Sequence, residues 1–586
     1  MLMKSTRRLL TVKNLAVDFD TPRGLVNAVT DVSFHVDQGE MVAVVGESGS
    51  GKSVTAYSAL GLLSTGGRMV ADTINYLGQD LLRAGRNLLK ATRGNEISMI
   101  FQSPQTALNP IRPIGIQITD VLRAHQQLSR AEAIKRAIAA LEAVDIQDAA
   151  RRLQSYPFEF SGGMCQRALI AMALACEPRL LLADEPTTGL DVTTQKTVMD
   201  LIVTLTRSRN MSTLFITHDL GLAAQYCDRI IIMQKGRVVE EGETAKIFND
   251  PRDNYTKRLL AATPHLHSRL VDLLPPAERR PFLAPVAATT SASASSACSE
   301  REVVLKVDLL VREYGLGPAR RRMFERLWPA RRVETPNISM LRAVDGISFH
   351  IGAGECVGLV GESGCGKTTT SRLIAKLITP TAGSIQLLGE EIGADDPRTF
   401  ARSHKRKLIQ MVFQDPSSSL DPQRTAFEAI ADPLMRLEGV KRSTELRDRI
   451  EIICDLVGLS TNLMDRYPHQ LSGGQKARVG IARAIAVKPA LVVLDEPTSS
   501  LDVSVQAVVL NQLSKLKREL GLSYLFVTHD LNVVRLLCDR VLVMKSGKIV
   551  EQGSTEALFG DPKHEYTRQL LAASPIIRFR STAYSG

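Results

Sequence analysis

The chain has 586 residues, of which 44% are hydrophobic and 23% charged, a balance that supplies about three to five folding units with ordinary cores. No apolar run reaches the roughly 18–20 residues of a membrane-spanning helix, and the N-terminus "MLMKSTRRLLTVKNLAVDF" has no apolar stretch of the signal-peptide kind, so a cytoplasmic location is expected. The net charge of +11 suits an anionic ligand, an anionic membrane face or nucleic acid without selecting one. The eight cysteines include no C-x-x-C pair, which argues against a zinc site and a disulfide framework.

The first distinctive element is "MVAVVGESGSGKSVTAYSAL", an apolar β-type run, a glycine-rich turn and a helical pattern. It fits G-x-x-x-x-G-K-[ST] over Gly46, Glu47, Ser48, Gly49, Ser50, Gly51, Lys52 and Ser53. Glycines let successive backbone N–H groups turn toward one anion, and the following helix aims its positive end at the same point. Lys52 would reach the β- and γ-phosphates of a nucleotide, and Ser53 would ligand Mg2+.

Next, "MIFQSPQTALNP" delivers Gln102 after a short strand, as a sensor of Mg2+ or of the attacking water. The stretch "ITDVLRAHQQLSRAEAIKRAIAALEAVDI" follows with helical periodicity. Then come "FSGGMCQR", with Ser161, Gly162 and Gly163, and "LLLADEP". The apolar run reads as a buried parallel strand, and an acid at its end lies where α/β sheets bind ligands. Asp184 would hold the metal shell and Glu185 would polarise water, a contribution of roughly 10²–10⁴ in rate. "TTGLD" ends in Asp191, and "LFITHDLG" brings His218 to the same sheet edge.

The whole series recurs. "CVGLVGESGCGKTTTSRLI" supplies Gly361, Glu362, Ser363, Gly364, Cys365, Gly366, Lys367 and Thr368, then come Gln414 in "MVFQDPSSSLDP" and Ser472, Gly473 and Gly474 in "LSGGQKAR". Asp495 and Glu496 follow in "LVVLDEP", Asp502 in "SSLD" and His529 in "LFVTHDLN". Lys367 lies 315 positions after Lys52, whereas Glu496 and His529 lie 311 after Glu185 and His218. A drift this small over so long a period marks a duplicated domain. The first copy is expected over 9–265 and the second over 304–575, with an Ala/Ser/Pro-rich flexible linker at 266–303 and a tail at 576–586. Cys227 and Cys538, at matching places, read as buried structural thiols. A basic insert at 314–340 holds the only tryptophan, Trp328, and reads as a solvated loop in preference to a contact with lipid head groups or a partner.

These motifs, in this order and over about nine-tenths of the chain, resemble the ATP-binding-cassette (ABC) ATPases. The resemblance implies an α/β fold of two P-loop NTPase domains, each with a RecA-like core, an antiparallel β subdomain and a helical subdomain. It implies ATP and Mg2+ as ligands. It also implies that the cassettes pair head to tail, so that the signature loop of Ser161, Gly162 and Gly163, or of Ser472, Gly473 and Gly474, completes the other copy's site, with Asp191 and Asp502 as the D-loop acids. Within the family, "GESGSGKS", "GESGCGKT", "ALNP", "SLDP" and the closing "DPRDNYTKRLLAATP" and "DPKHEYTRQLLAASP" are similar to the importers of oligopeptides, dipeptides, glutathione and nickel. That likeness implies two membrane permeases, a periplasmic binding protein, a peripheral place on the cytoplasmic face of the inner membrane, and no nucleic acid. The family's usual His-Pro-Tyr-Thr tail reads Asp-Asn-Tyr-Thr and His-Glu-Tyr-Thr here. With only Cys298 in the linker and no cysteine after Cys538, no iron–sulfur cluster is expected. Phe19 is the candidate adenine-stacking aromatic in the first copy, and the insert obscures its counterpart. Import of nickel, opine or sugar-type solutes is the alternative. A double-cassette translation factor would need a charged helical linker, and a scaffold would tolerate loss of Glu185 or Glu496. Met164 and Cys165, where the second copy has Gln475 and Lys476, imply a modest difference between the sites.

Overall fold

A computed structural model describes residues 7–21, 24–265, 268–275, 302–315, 340–499 and 501–574. Most of the linker with Cys298, all but the ends of the insert with Trp328, and the tail lie outside the described residues. The chain divides into two compact units, one mainly of the residues up to His267 and the other of Ser268–Leu501 and Val505–Ser574.

Each unit is built on a six-stranded sheet. In the first the order is Arg237–Glu243, Arg229–Gln234, Met41–Val45, Ser212–Thr217, Leu180–Asp184, Ile97–Ile100, and in the second the same series recurs from Lys548–Ser554 to Ile409–Val412. All neighbours pair in parallel except the hairpin at one edge, Arg229–Gln234 with Arg237–Glu243 and Arg540–Lys545 with Lys548–Ser554. The reason is in the composition. Met41–Val45, Leu180–Asp184 and Ser212–Thr217 are buried at every position, which a strand tolerates only when both faces are covered. Val42 and Val44 point into one core with Leu182 and Ile216, and Met41, Ala43 and Val45 into the other with Leu181 and Phe215. Each of these buried side chains other than Ala43 contributes about 1.5–3 kcal/mol.

The first core is closed by an antiparallel sheet in which Arg8–Thr21 pairs with Gly24–Asp37, Gly67–Val70 and Thr73–Tyr76. The second is closed by helices. The long periodic stretch of the first copy forms two, Ile114–His125 and Arg130–Glu142. The break falls where Ser129 accepts the N–H of Glu132 while the Glu132 carboxylate accepts the N–H of Ser129, a capping box that fixes the new start. The second unit has Ala426–Leu437 and Thr444–Leu456 in the same roles. Among the described residues no helix is long and apolar enough to cross a membrane.

Cys227 and Cys538 are both buried, and Cys538 Sγ lies 3.6 Å from Cys356 Sγ. The described cysteines are free thiols.

Candidate functional site

Lys52 and Lys367 begin the helices Lys52–Ala59 and Lys367–Ile374, each joined by the glycine-rich loop to a fully buried strand. The glycines before them are required by geometry. Gly51 and Gly366 have φ of 95° and 111°, and a Cβ there would meet the carbonyl oxygens of Ala28 at 2.7 Å and Ala343 at 2.2 Å. Gly46 and Gly361 lie so close to Met233 and Met544 that a Cβ would sit 2.2 Å from their carbonyl oxygens. Ser48, Gly49, Ser363 and Gly364 form the exposed tip, and Ser50 and Cys365 turn inward. Lys52 Nζ donates to the carbonyls of Gly46 and Glu47 at 2.8 and 2.9 Å, and Lys367 Nζ to those of Gly361 and Glu362 at 2.7 and 2.8 Å. Burial lowers the Lys52 ammonium pKa, and the nearby Glu185 carboxylate opposes that fall.

The carboxylates converge on the same edge. In each unit the strand ends on a buried aspartate, Asp184 or Asp495, and the next residue is left-handed: φ is 44° at Glu185 and 46° at Glu496. A non-glycine residue there costs roughly 1–2 kcal/mol, and such strain persists where surrounding contacts over-determine it. The contacts are present. Glu185 N–H donates to Ile216 O at 2.9 Å and Glu496 N–H to Val527 O at 2.8 Å. Gln102 Nε2 donates to Glu185 Oε2 at 2.7 Å, and His218 Nδ1 lies 3.2 Å from Oε1. Gln414 Nε2 and His529 Nδ1 take the matching places on Glu496 at 2.8 and 3.1 Å. Burial alone would raise the Glu185 carboxyl, but His218, Gln102 and Thr188 together bring it down to about 2. Glu496 is lowered likewise by His529, Lys367 and Gln414 against burial. The glutamate raises the His218 imidazole, while burial works against it.

The signature serine begins a helix in each unit. Ser161 Oγ accepts the N–H of Met164, and Ser472 Oγ that of Gln475. Gly163 and Gly474 let that helix approach the next, since a Cβ would meet Thr194 Cγ2 at 2.8 Å and Val505 Cγ1 at 2.3 Å. Gly162 and Gly473 are exposed beside the serines. Asp191 caps the helix Val192–Ser208 by accepting the N–H of Thr194 at 3.0 Å, and Asp502 directly precedes the helix Val503–Leu520.

Two regions of the chain, residues 29–188 and 344–499, match the family described as ABC transporter. The chain belongs to the ABC transporter family. Each unit is an ABC cassette, and the protein is an ATP-binding ATPase of that family. Residues 239–284 and 550–585 match the oligopeptide/dipeptide transporter C-terminal region. Three similar relatives are the glutathione import ATP-binding protein GsiA of Pectobacterium atrosepticum, the oligopeptide transport ATP-binding protein OppD of Mycobacterium tuberculosis and the peptidoglycan transport ATP-binding protein YejF of Agrobacterium fabrum. The first is 40% identical over 98% of this chain and 91% of its own, the second 40% over 97% and 98%, the third 41% over 97% of each.

Three features of the cassettes were not legible as motifs. In the first cassette Asp184 accepts two hydroxyls, Ser53 Oγ at 2.9 Å and Tyr57 OH at 2.9 Å. In the second, Thr368 does not reach the aspartate. Ser371 Oγ donates to Asp495 Oδ2 at 3.0 Å instead, and Oδ1 is buried with no hydrogen-bond partner. Tyr57 lies four residues after Ser53 and Ser371 three after Thr368, so only the i, i+3 and i, i+4 geometry of the helix could have flagged them. The third is Tyr314. Phe19 pairs with Val26 across the antiparallel sheet, and Tyr314 pairs with Leu341. Leu341 is 315 positions after Val26, the same offset as Lys52 to Lys367, so Tyr314 is the counterpart of Phe19 that the insert hid. The Arg312 guanidinium lies 4.8 Å from its ring centroid.

Proposed function

We propose that this protein is the ATP-hydrolysing subunit of a binding-protein-dependent importer of peptides, di- or oligopeptide or glutathione-like. One observation carries the hydrolytic part: the same glutamine, glutamate and histidine meet within 2.7–3.2 Å at the ends of parallel strands in both cassettes. Glu185 and Glu496 act as general bases toward water. A carboxylate held near the bottom of its range is a weak base, so proton acceptance requires that donors such as Gln102 and Gln414 leave it. His218 and His529 hold the glutamates and contact the γ-phosphate. Lys52 and Lys367 exchange their loop carbonyls for the β- and γ-phosphates, and the hydroxyls of Ser161 and Ser472 meet the γ-phosphate.

The oxygen donors suit a hard cation such as Mg2+. Asp495 Oδ1, buried and without a partner, is a ligand position in the second cassette, and Ser53, Gln102, Asp184, Thr368 and Gln414 complete the two sets. A bound Mg2+ would supply charge neutralisation to the phosphates. Phe19 and Tyr314 stack on the adenine. The cassettes span 9–265 and 304–575.

The match to the oligopeptide/dipeptide region and the relatives named for glutathione, oligopeptide and peptidoglycan transport support peptide import. The partners are two permeases and a periplasmic binding protein, and the subunit sits peripherally on the cytoplasmic face of the inner membrane. Isolation of the native complex tests this. Two permeases should co-purify, and reconstituted vesicles should take up labelled dipeptide, tripeptide or glutathione with ATP. Recovery of ribosomal proteins in place of permeases, or uptake of nickel or sugar and no peptide, refutes it.

A further inference from the structure

The C-terminal helix of each cassette reaches the phosphate loop with a tyrosine hydroxyl. Tyr255, in the helix Asn254–Ala262, is 8% exposed, and its hydroxyl accepts the peptide N–H of Glu47 at 3.2 Å. Tyr566, in the helix Glu565–Ala573, is 2% exposed and accepts the N–H of Glu362 at 3.0 Å. The two tyrosines are 311 positions apart, the spacing of Glu185 and Glu496, and both fall in the oligopeptide/dipeptide C-terminal region.

The donating peptide has a second tie. Its carbonyl, that of Gly46, accepts Lys52 Nζ at 2.8 Å, and that of Gly361 accepts Lys367 Nζ at 2.7 Å. The lysine tie is lost when the ammonium moves to phosphate, whereas the tyrosine tie need not be. The tyrosines are themselves fixed. Asp253 Oδ1 accepts the N–H of Tyr255 at 2.7 Å, and His564 Nδ1 that of Tyr566 at 3.1 Å. Glu240 accepts the N–H groups of Arg252 and Asp253 at 2.8 and 3.1 Å, and Glu551 those of Lys563 and His564 at the same distances. Lys545 Nζ adds a cation 4.5 Å from the Tyr566 ring centroid.

We infer that Tyr255 and Tyr566 are positioning residues for the phosphate loop, by which the C-terminal region holds the cradle in its nucleotide-ready shape. They touch no phosphate. Their hydroxyls orient the peptide that opens the loop, so ATP meets a preorganised site and less ordering is left for binding to supply.

The inference rests on the reading of the loops as ATP seats. Binding of ATP by the unaltered full chain tests that reading alone, and the ratio of variant to unaltered affinity tests the tether. Tyr255→Phe and Tyr566→Phe keep the ring and delete the acceptor. Loss of one such hydrogen bond should weaken ATP binding at the affected cassette about fivefold. KM for ATP should rise with kcat held within about twofold, because uniform binding is what is lost. Leu259→Ala and Leu570→Ala, which loosen the same helices without touching the hydroxyls, are the controls. A rise in KM for Tyr255→Phe beyond that of Leu259→Ala supports the tether, as does the same contrast between Tyr566→Phe and Leu570→Ala. An unchanged KM, or one that rises equally in the leucine variants, overturns it.

Discussion

The two cassettes share a fold and a motif set, and they differ most at the buried aspartate. Asp184 has both oxygens occupied by hydroxyls of its own unit, Ser53 and Tyr57, whereas Asp495 has one satisfied by Ser371 and one left over. Burial raises both aspartates above the ordinary carboxyl value, and in the first cassette the two hydroxyls pull Asp184 back down. The signature loops differ as well. Gln475 Oε1 accepts the N–H of Ser472 at 2.9 Å and closes a capping box that Met164 cannot make. Lys476 Nζ donates to Ser417 Oγ at 3.1 Å, while Cys165 is buried with its Sγ 3.3 Å from Pro157 O. Matching motifs thus leave two sites with different unmet hydrogen-bonding capacity.

The largest effect should come from removing what the cassettes share. Glu185→Gln with Glu496→Gln should lower turnover at least about 100-fold with ATP still bound, and near-normal hydrolysis by the double variant would sink the assignment of the bases. Next, Ser161→Ala and Ser472→Ala should cut ATPase activity by unequal factors, on the order of tenfold, the scale of one hydrogen bond to a charged group. Equal losses would remove the case for asymmetry. Magnesium titration of the ATPase should then separate the sites. Tyr57→Phe frees an oxygen of Asp184 and should lower the Mg2+ concentration for half-maximal activity about two- to fivefold, the scale of one hydrogen bond. An unchanged titration would mean that the phenol does not compete with the ion. Met164→Gln should install the missing capping box and raise stability by about 0.5 kcal/mol, or about 1–2 °C in Tm, with no gain expected from substituting Gln475 by Met.

The smallest effect is on pH. His218 and His529 are raised above their ordinary 6.5, so their contribution is complete below that pH and fades as pH rises through the shifted values. Glu185 is lowered from 4.5 to about 2, so its contribution is present above 4.5 and fades as pH falls toward 2. The His–Glu contacts therefore stabilise most between about pH 4.5 and 6.5. The Tm gap between the unaltered chain and the His218→Ala, His529→Ala double variant should narrow from pH 6 to pH 9. It should be small throughout, because both imidazoles are partly exposed and screened. A gap that widens toward pH 9 would reverse the sign of the argument.

The strands and phosphate loops were legible because their signal is local. A run of five apolar residues before Gly46, or of four before Asp184, admits few alternatives. The break at Ser129 was written in the sequence as S-x-x-E yet lay inside a longer periodic stretch. Tyr57, Ser371 and Tyr314 were hidden for a different reason: each acts through a partner more than a hundred positions away, or across a register that an insert displaces. The tail shows the reverse case. Its first copy departs from His-Pro-Tyr-Thr in letters, but Asp253 and His564 both serve as the N-terminal acceptor for the helix. What the fold requires there is an acceptor followed by a tyrosine two residues on.

The left-handed backbone at Glu185 and Glu496 bears on how any replacement should be chosen. Glutamine inherits the same φ, so a comparison with glutamate isolates the oxygen proposed to accept the proton. Valine or isoleucine would add β-branched crowding to an already disfavoured conformation, and a slow enzyme would then report a distorted strand end rather than a missing base. Glycine errs in the opposite direction, because it would relax the turn while deleting the side chain. Only the isosteric amide keeps skeleton and chemistry as separate variables.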